Sequence, residues 1–386
     1  MTYKKKYSVL HIITHLEVGG AQDNTLYTLE KINRKKFNIA LAANLSGEFI
    51  NRAKSIDNLK LIHVPSLQTK VRPLYDIISL IYLVKIIKTG QYDIIHTHST
   101  KPGVLGRIAS AITKTPLIVH TVHGFAFHDF MPVIQRKIFI SVEKWMNLLS
   151  DHLIAVSKLN IKKMLKLNLT KSHLVTNIYS GIDLNKFNGR NYNQNIINEL
   201  KLTSDYKLVG FIGRYSNQKD PLCLLKAVTI LIKEFSNVHF LFVGGGDLKS
   251  EMVDYISQND LNKYVTIWDY REDIIKILDS LDLFVISSIY EGIGRSLTEA
   301  MAKSIPVVAT KVEGIPEIVI QNKTGRLVPP RSPELLAKAM KDALINDKKS
   351  KMLAQIGQKR IQEHFDVDEM VRRIEKVYEE LLSKKI

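Results

Sequence analysis

The run Leu283-Phe-Val-Ile-Ser-Ser-Ile-Tyr-Glu291-Gly-Ile-Gly-Arg-Ser-Leu-Thr-Glu299-Ala-Met-Ala302 begins as a short apolar strand, crosses a loop with two glycines and ends in helix-forming residues. Strand, glycine-bearing loop and helix in that order accept anions, because exposed amides and the positive end of the helix face the incoming charge. Glu291 stands in the loop and Glu299 about two turns into the helix, with seven residues between them. Two carboxylates so placed can bracket a ligand and accept its hydroxyls. Gly292, Ile293, Gly294 and Arg295 lie in and just after the loop. A helix start with incidental acids would leave the two glycines without a reason.

The same rhythm repeats on both sides. Apolar or β-branched runs at Tyr7–Ile13, Asn38–Ala43, Asp93–His96, Leu117–Thr121 and His152–Val156 alternate with helix-length segments, as in a parallel sheet covered by helices. The rhythm restarts at Tyr206–Ile212 and continues through Val238–Val243, Val265–Trp268, Leu283–Ile286 and Pro306–Ala309. The chain therefore reads as α/β with two nucleotide-binding-type domains, 1–186 and 204–366, which suits 386 residues better than one core. The Asn-rich, weakly patterned stretch within 187–203, with Gly189 inside it, reads as the linker. From 367 to 386, Met370, Val371, Ile374, Val377, Tyr378 and Leu381 recur at helical spacing, which predicts a closing amphipathic helix.

Composition narrows the class of function. With 45% hydrophobic and 24% charged residues the chain is globular rather than disordered or fibrous. The net charge of +17 is uneven: residues 1–200 hold 27 Lys and Arg against 12 Asp and Glu, and the remainder holds 28 against 26. A basic first half fits an anionic partner, namely a phospholipid surface, a lipid-diphosphate or nucleic acid, and equally a Lys-rich surface with no partner. Cys223 is the only cysteine, which excludes an internal disulfide or a multi-cysteine metal site and fits a reducing cytoplasm. Lys4-Lys5-Lys6 before Tyr7–Leu16 imitates a leader, but His11, His15 and the lack of a small-residue cleavage site make it a first strand. The longest membrane-span candidate, around Ile77–Ile87, is interrupted by Lys85 and followed by Lys88, so any membrane contact is expected to be peripheral.

Further motifs complete a constellation. Phe211-Ile-Gly-Arg214-Tyr-Ser-Asn-Gln-Lys219-Asp220-Pro sets two cations just past a strand, where they can neutralise a diphosphate as a metal does elsewhere. Gly19-Gly20-Ala-Gln opens a helix after the first strand, Gly244-Gly-Gly-Asp follows another, and Trp268-Asp-Tyr270-Arg271 ends a third. Together with Glu291 and Glu299, these motifs resemble glycosyltransferase family 4 over nearly the whole chain.

The resemblance implies the GT-B fold, two Rossmann-like domains facing across a cleft, the C-terminal helix returning to the first domain, and sugar transfer with retention. It implies that Arg214 and Lys219 hold the donor diphosphate, although Asp220 replaces the glycine that usually follows. It places Gly19 and Gly20 near the donor phosphate, His123 near the anomeric centre, Gly244 at the nucleotide end, and Tyr270 and Arg271 beside the base. Glu291, Gly292, Ile293, Gly294, Arg295 and Glu299 then bind the sugar nucleotide; Arg295 and Thr298 depart from the commoner family residues, leaving the sugar open. Gly314-Ile-Pro-Glu317 and Thr324-Gly325-Arg-Leu-Val-Pro-Pro read as structural turns.

His96, His98, His120, His123 and His128 concentrate in the first half, where a zinc site and a set of buried, satisfied rings are both possible readings; the site is expected to hold no metal. Asp366-Val-Asp368 matches a metal-binding pattern but starts the last helix, where capping is the simpler explanation. Phe125–Leu149 interleaves Phe127, Phe130, Met131, Ile134, Phe139 and Trp145 with Arg136, Lys137 and Lys144, as either a helix on an anionic membrane or a buried one would.

The expected function is a retaining, metal-independent hexosyltransferase without a cofactor. It would move a sugar from a nucleotide-diphosphate donor, UDP-linked by the resemblance, to a glycan or lipid-diphosphate acceptor. The expected setting is surface polysaccharide assembly, capsule or exopolysaccharide, on the cytoplasmic membrane face, with no nucleic acid. Two rivals stand beside it: a nucleotide-sugar 2-epimerase of similar shape, and a non-enzymatic basic protein that binds membrane or nucleic acid.

Overall fold

The computed structural model describes residues 6–187, 189–203 and 205–385. Lys4 and Lys5 of the basic start, Asn188 of the expected linker and Ser204 at the expected start of the second domain lie outside them. The chain forms two compact units, residues 1–181 with 367–386, and residues 182–366.

The first unit is a seven-stranded parallel sheet. Its strands are β1 Tyr7–His15, β2 Phe37–Asn44, β3 Lys60–His63, β4 Ile94–His98, β5 Leu117–Val122, β6 His152–Ala155 and β7 Val175–Asn177, in the order β3-β2-β1-β4-β5-β6-β7. The second unit has β8 Lys207–Ile212, β9 Val238–Val243, β10 Val265–Trp268, β11 Leu283–Ile286, β12 Val307–Thr310 and β13 Arg326–Val328, in the order β10-β9-β8-β11-β12-β13. Each sheet reverses its direction of growth beside its first strand, where ligands of open α/β sheets bind outside the carboxyl ends. Helices cover both faces, so the central strands read as unbroken apolar runs instead of alternating ones; every residue of β9 and of β11 is buried.

β3, β7 and β13 correct the sequence reading. Two were passed over and β13 was assigned to a structural turn. Each has only three or four residues and sits at an edge of its sheet, and β3 exposes Lys60 and His63, so no apolar run announces it.

The linker expected at 187–203 is also corrected. The first unit ends at Gly181 instead of 186, and the helix Gln194–Glu199 packs into the second unit through buried Ile196 and Ile197. Arg190 donates to the carbonyls of Asp279, at 3.1 Å, and Leu281, and the Ser280 hydroxyl donates to Asn193 O at 2.9 Å. The polar composition that suggested a free linker is spent on these backbone carbonyls.

The helix Val367–Ser383 belongs to the first unit. It buries Met370, Val371, Ile374, Val377, Tyr378 and Leu382 against Val9, Leu26, Phe37 and their neighbours; each such side chain contributes about 1.5–3 kcal/mol. Asp368, in its first turn, pairs with Lys31 at 2.7 Å, and Asp366 bridges to Ile182.

Candidate functional site

In the second unit the loops that leave the carboxyl ends of β8, β9, β10 and β11 are stitched together. After β8, Gly213 N donates to Val243 O at 3.0 Å and Tyr215 N to Gly245 O at 2.8 Å, which ties the Arg214 loop to the loop after β9. Gly244 has φ +150°, and a Cβ there would stand 2.1 Å from the Gly213 carbonyl oxygen. The close approach admits only glycine. The Tyr215 hydroxyl and Gly244 N both donate to Trp268 O, at 2.8 and 3.0 Å, joining the end of β10.

Lys219 and Glu291 meet directly. Lys219 Nζ donates to Glu291 Oε2 in a largely buried ion pair, and the Ser288 hydroxyl reaches the same oxygen at 3.3 Å. The backbone holds both partners: Ile289 N donates to Gln218 O at 2.9 Å, and the Ser287 hydroxyl lies 2.9 and 2.8 Å from the carbonyls of Lys219 and Asp220. Gln218 accepts from Arg214 at 3.1 Å and donates to Tyr290 O at 3.3 Å, so the exposed Arg214 is tethered to the same network. Asp220 adopts left-handed φ +46° and caps the helix Pro221–Leu231 by accepting from Cys223 N at 3.3 Å. Burial pushes its carboxyl above the usual range. A glycine would take that backbone easily; aspartate tolerates it and supplies the cap.

The Glu291 loop is fixed from its other side too. Glu291 N donates to Glu313 Oε2 at 3.0 Å, and Gly314 N donates to Glu291 O at 3.1 Å. A Cβ on Gly314 would fall 1.7 Å from Gly292 O. Gly314, read from sequence as a structural turn, therefore abuts the candidate site, and Gln218, Ser288, Tyr290 and Glu313 are functional neighbours that sequence reasoning missed. Gln218 and Glu313 reach the Glu291 loop from other loops that only tertiary packing brings together, which no spacing rule links, whereas Ser288 and Tyr290 precede Glu291 in its own loop and were legible there as polar side chains.

Behind the loop, Gly294 precedes the helix Arg295–Ala302 with no side-chain cap. Its Glu299 is buried and accepts from Arg295 at 2.8 Å. Arg271 lies 4.3 Å over the Trp268 ring and binds Asp273 through two bonds of 2.8 and 2.7 Å and Glu199 at 2.5 Å. Those carboxylates raise its pKa. Tyr270 is exposed. Arg214, Lys219, Glu291 and Gly244 thus belong to one stitched set of loops, and Arg295 and Glu299 lie on the helix that the Glu291 loop opens.

Gly19, Gly20 and His123 belong to the first unit. Gly19 precedes the helix Gly20–Lys31 in extended conformation. His123 follows β5, and its Nε2 lies 3.1 Å from His98 Nδ1. The ligand atoms of His11, His96 and His98 lie within 4.8 Å of one another, with His11 Nδ1 2.9 Å from His98 Nε2. Burial depresses all four imidazoles, with Arg34 adding to it at His11 and the neighbouring rings at His96 and His98. His120 is buried with its Nδ1 2.9 Å from Thr97 Oγ1.

The family model for Glycosyltransferase Family 4 matches residues 18–186, and that for Glycosyl transferases group 1 matches 193–360. The chain is 28% identical to the UDP-Gal:alpha-D-GlcNAc-diphosphoundecaprenol alpha-1,3-galactosyltransferase of Escherichia coli over 98% of both chains. It is 24% identical to the capsular polysaccharide biosynthesis glycosyltransferase CapM of Staphylococcus aureus, over 98% of this chain and 99% of that one. HepE of Anabaena, solved in complex with UDP-glucose, superposes with a TM-score of 0.83 at 21% identity, covering 97% of this chain and 99% of its own. That last likeness is one of fold.

Proposed function

We propose that this chain, which belongs to glycosyltransferase family 4, is a retaining hexosyltransferase that moves a sugar from a UDP-sugar to a lipid-diphosphate-linked glycan in surface polysaccharide assembly. The observation that carries the reading is the Lys219–Glu291 pair, linked through Gln218 to Arg214. Two cations and the uncapped amides of the helix Arg295–Ala302 form a charge-matched seat for a diphosphate, and they stabilise most the oxygen that gains charge as the glycosidic bond breaks. Glu291 neutralises Lys219 in the meantime, and its carboxylate stands ready to accept a sugar hydroxyl; Glu299 has the same role toward the ribose. Gly244, Tyr270 and Arg271 bound the nucleotide end.

In this mechanism the acceptor hydroxyl attacks the anomeric carbon on the face from which the phosphate leaves, and the phosphate takes the proton. No enzyme nucleophile and no metal are required. Gly19, Gly20 and His123 enter through the family resemblance, as contacts of the donor phosphate and sugar. The relatives named above are transferases of UDP-galactose and of capsule assembly by their descriptions, and neither the epimerase nor the non-enzymatic reading is favoured by them.

The partner surface is an anionic membrane on the cytoplasmic side. Among the described residues no helix is long and apolar enough to cross a bilayer. Two helices of the first unit nevertheless turn apolar stripes outward: Leu74, Ile78, Ile81 and Tyr82 on Pro73–Gly90, and Ile134, Ile138, Trp145 and Leu148 along Val133–Asn147 and its end. Lys85, Lys88, Lys137 and Lys144 are exposed on the same two helices, a pairing that supports adsorption to anionic lipid. The stripe on Pro73–Gly90 had been considered from sequence only as a bilayer span.

A panel of nucleotide sugars with a lipid-diphosphate acceptor, read by mass, tests the assignment. Transfer from a UDP-sugar in the presence of a chelator is expected, and Lys219→Ala and Glu291→Gln should each lower the rate by about 100-fold or more. Unchanged turnover in both variants would remove the site; consumption of donor without acceptor would restore the epimerase.

A further inference from the structure

The strand register gathers a second polar array inside the first unit. β1 and β4 set His11 beside His96, His98 stands two residues further along β4 on the same face, and Thr121 pairs with His98 across β5. Tyr378 reaches this array from the helix Val367–Ser383. The contacts form one unbranched series. Thr121 Oγ1 lies 2.7 Å from His96 Nε2, and His96 Nδ1 lies 2.5 Å from the Tyr378 hydroxyl. That hydroxyl is 3.5 Å from His11 Nε2, His11 Nδ1 is 2.9 Å from His98 Nε2, and His98 Nδ1 is 3.1 Å from His123 Nε2. The His11 and His98 rings are within 11° of parallel with centroids 5.1 Å apart, an arrangement compatible with an in-plane ring-to-ring hydrogen bond.

Burial keeps these rings neutral: it lowers His11 and His123 to about 3 and holds His96 and His98 well below the ordinary value. A neutral imidazole carries one N–H and one lone pair, so a direction set at either end propagates through the series. Thr121 sets it. The residue is buried, and His96 is its only side-chain partner among the described residues. Were Thr121 to accept from His96, its own proton would have no partner, and an unmade buried hydrogen bond is costly. With Thr121 donating, His96 donates to Tyr378, Tyr378 to His11, His11 to His98 and His98 to His123. Every proton inside the series is then used.

We infer that this series holds His123 as the Nδ1–H tautomer, so that the partly buried ring offers a hydrogen-bond donor to an oxygen of the sugar nucleotide, with Thr121 and Tyr378 as positioning residues. The inference rests on the proposed place of His123 at the donor sugar. His11, His96 and His98 then have every ring nitrogen engaged in the series, His96 joined to His11 through the Tyr378 hydroxyl, with no lone pair left for a metal.

The test is two-bond proton–nitrogen correlation of the imidazoles in histidine-labelled full-length protein, with kinetics of the same samples. Wild type is expected to show Nδ1 of His123 protonated. Tyr378→Phe and Thr121→Val should convert His123 wholly or partly to the Nε2–H form and lower kcat/KM roughly tenfold, and Thr121→Ser should restore both. If Tyr378→Phe does not fold, the Thr121 pair decides alone. An Nε2–H form in wild type, an Nδ1–H form that persists in both variants, or stoichiometric zinc in the purified protein that disappears in His11→Gln would each overturn the series. Unchanged kcat/KM in His123→Ala would instead overturn the place of His123 in the site, leaving the tautomer readable in wild type.

Discussion

Single residues in the candidate site answer to two demands, the geometry of a loop and the chemistry at its tip. Asp220 shows them separately: Asp220→Gly relieves the left-handed backbone but loses the cap, and the two nearly cancel, whereas Asp220→Ala loses the cap and keeps the strain. The alanine variant is expected to melt lower, by about 1–2 kcal/mol of stability, and the glycine variant close to wild type; equal melting of the two would dismiss the backbone argument. Gly314→Ala has no such relief, since its methyl meets the Gly292 carbonyl, and it should displace Glu291 and depress donor binding in titration calorimetry while the rest of the unit stays folded. The buried imidazoles carry a pH consequence. Their folded pKa values lie below the unfolded value, so below about pH 6.5 the unfolded chain binds protons that the folded chain refuses. Stability is therefore full above that pH and falls as the pH drops, by about 1.4 kcal/mol per pH unit for each ring. Urea midpoints measured between pH 7.5 and 5.5 should decline steeply, and a flat profile would mean that the rings protonate in place.

At the scale of elements, legibility followed the physics of each. β11, its loop and the following helix were readable because an apolar run, two glycines and a glutamate spacing all fall within one stretch of chain. The last helix was readable because its stripe repeats at helical period. β3, β7 and β13 were not, because short strands at a sheet edge carry no period, and the helix Gln194–Glu199 was hidden behind polar residues, Arg190 and Asn193, whose partners lie 89 and 87 positions away. The contact of Glu291 with Lys219, and that of its amide with Glu313, likewise arise only when separate loops pack. The two outward apolar helices make a prediction at this scale: Ile134→Glu with Trp145→Glu should reduce co-sedimentation with anionic vesicles several-fold while turnover on a water-soluble acceptor holds. Equal vesicle binding would assign those stripes to some other contact.

For the molecule as a whole, one arrangement orders everything else: the chain leaves the first unit at Gly181 and re-enters it at Val367. Ending the chain at Asp366 would strip seven large side chains from the first core, a loss of about 10 kcal/mol or more, comparable to the whole stability of an ordinary domain. Calorimetry of that truncation is expected to retain the transition of the second unit and lose that of the first. The arrangement also bears on birth order. A ribosome finishes the second unit before it makes the segment that seals the first, so the earlier-made half must wait, partly open, for the helix that starts at Val367 to be read. Nonsense lesions within the helix Val367–Ser383 should thus be as harmful as those far upstream, and the nascent first half is where a chaperone would find work.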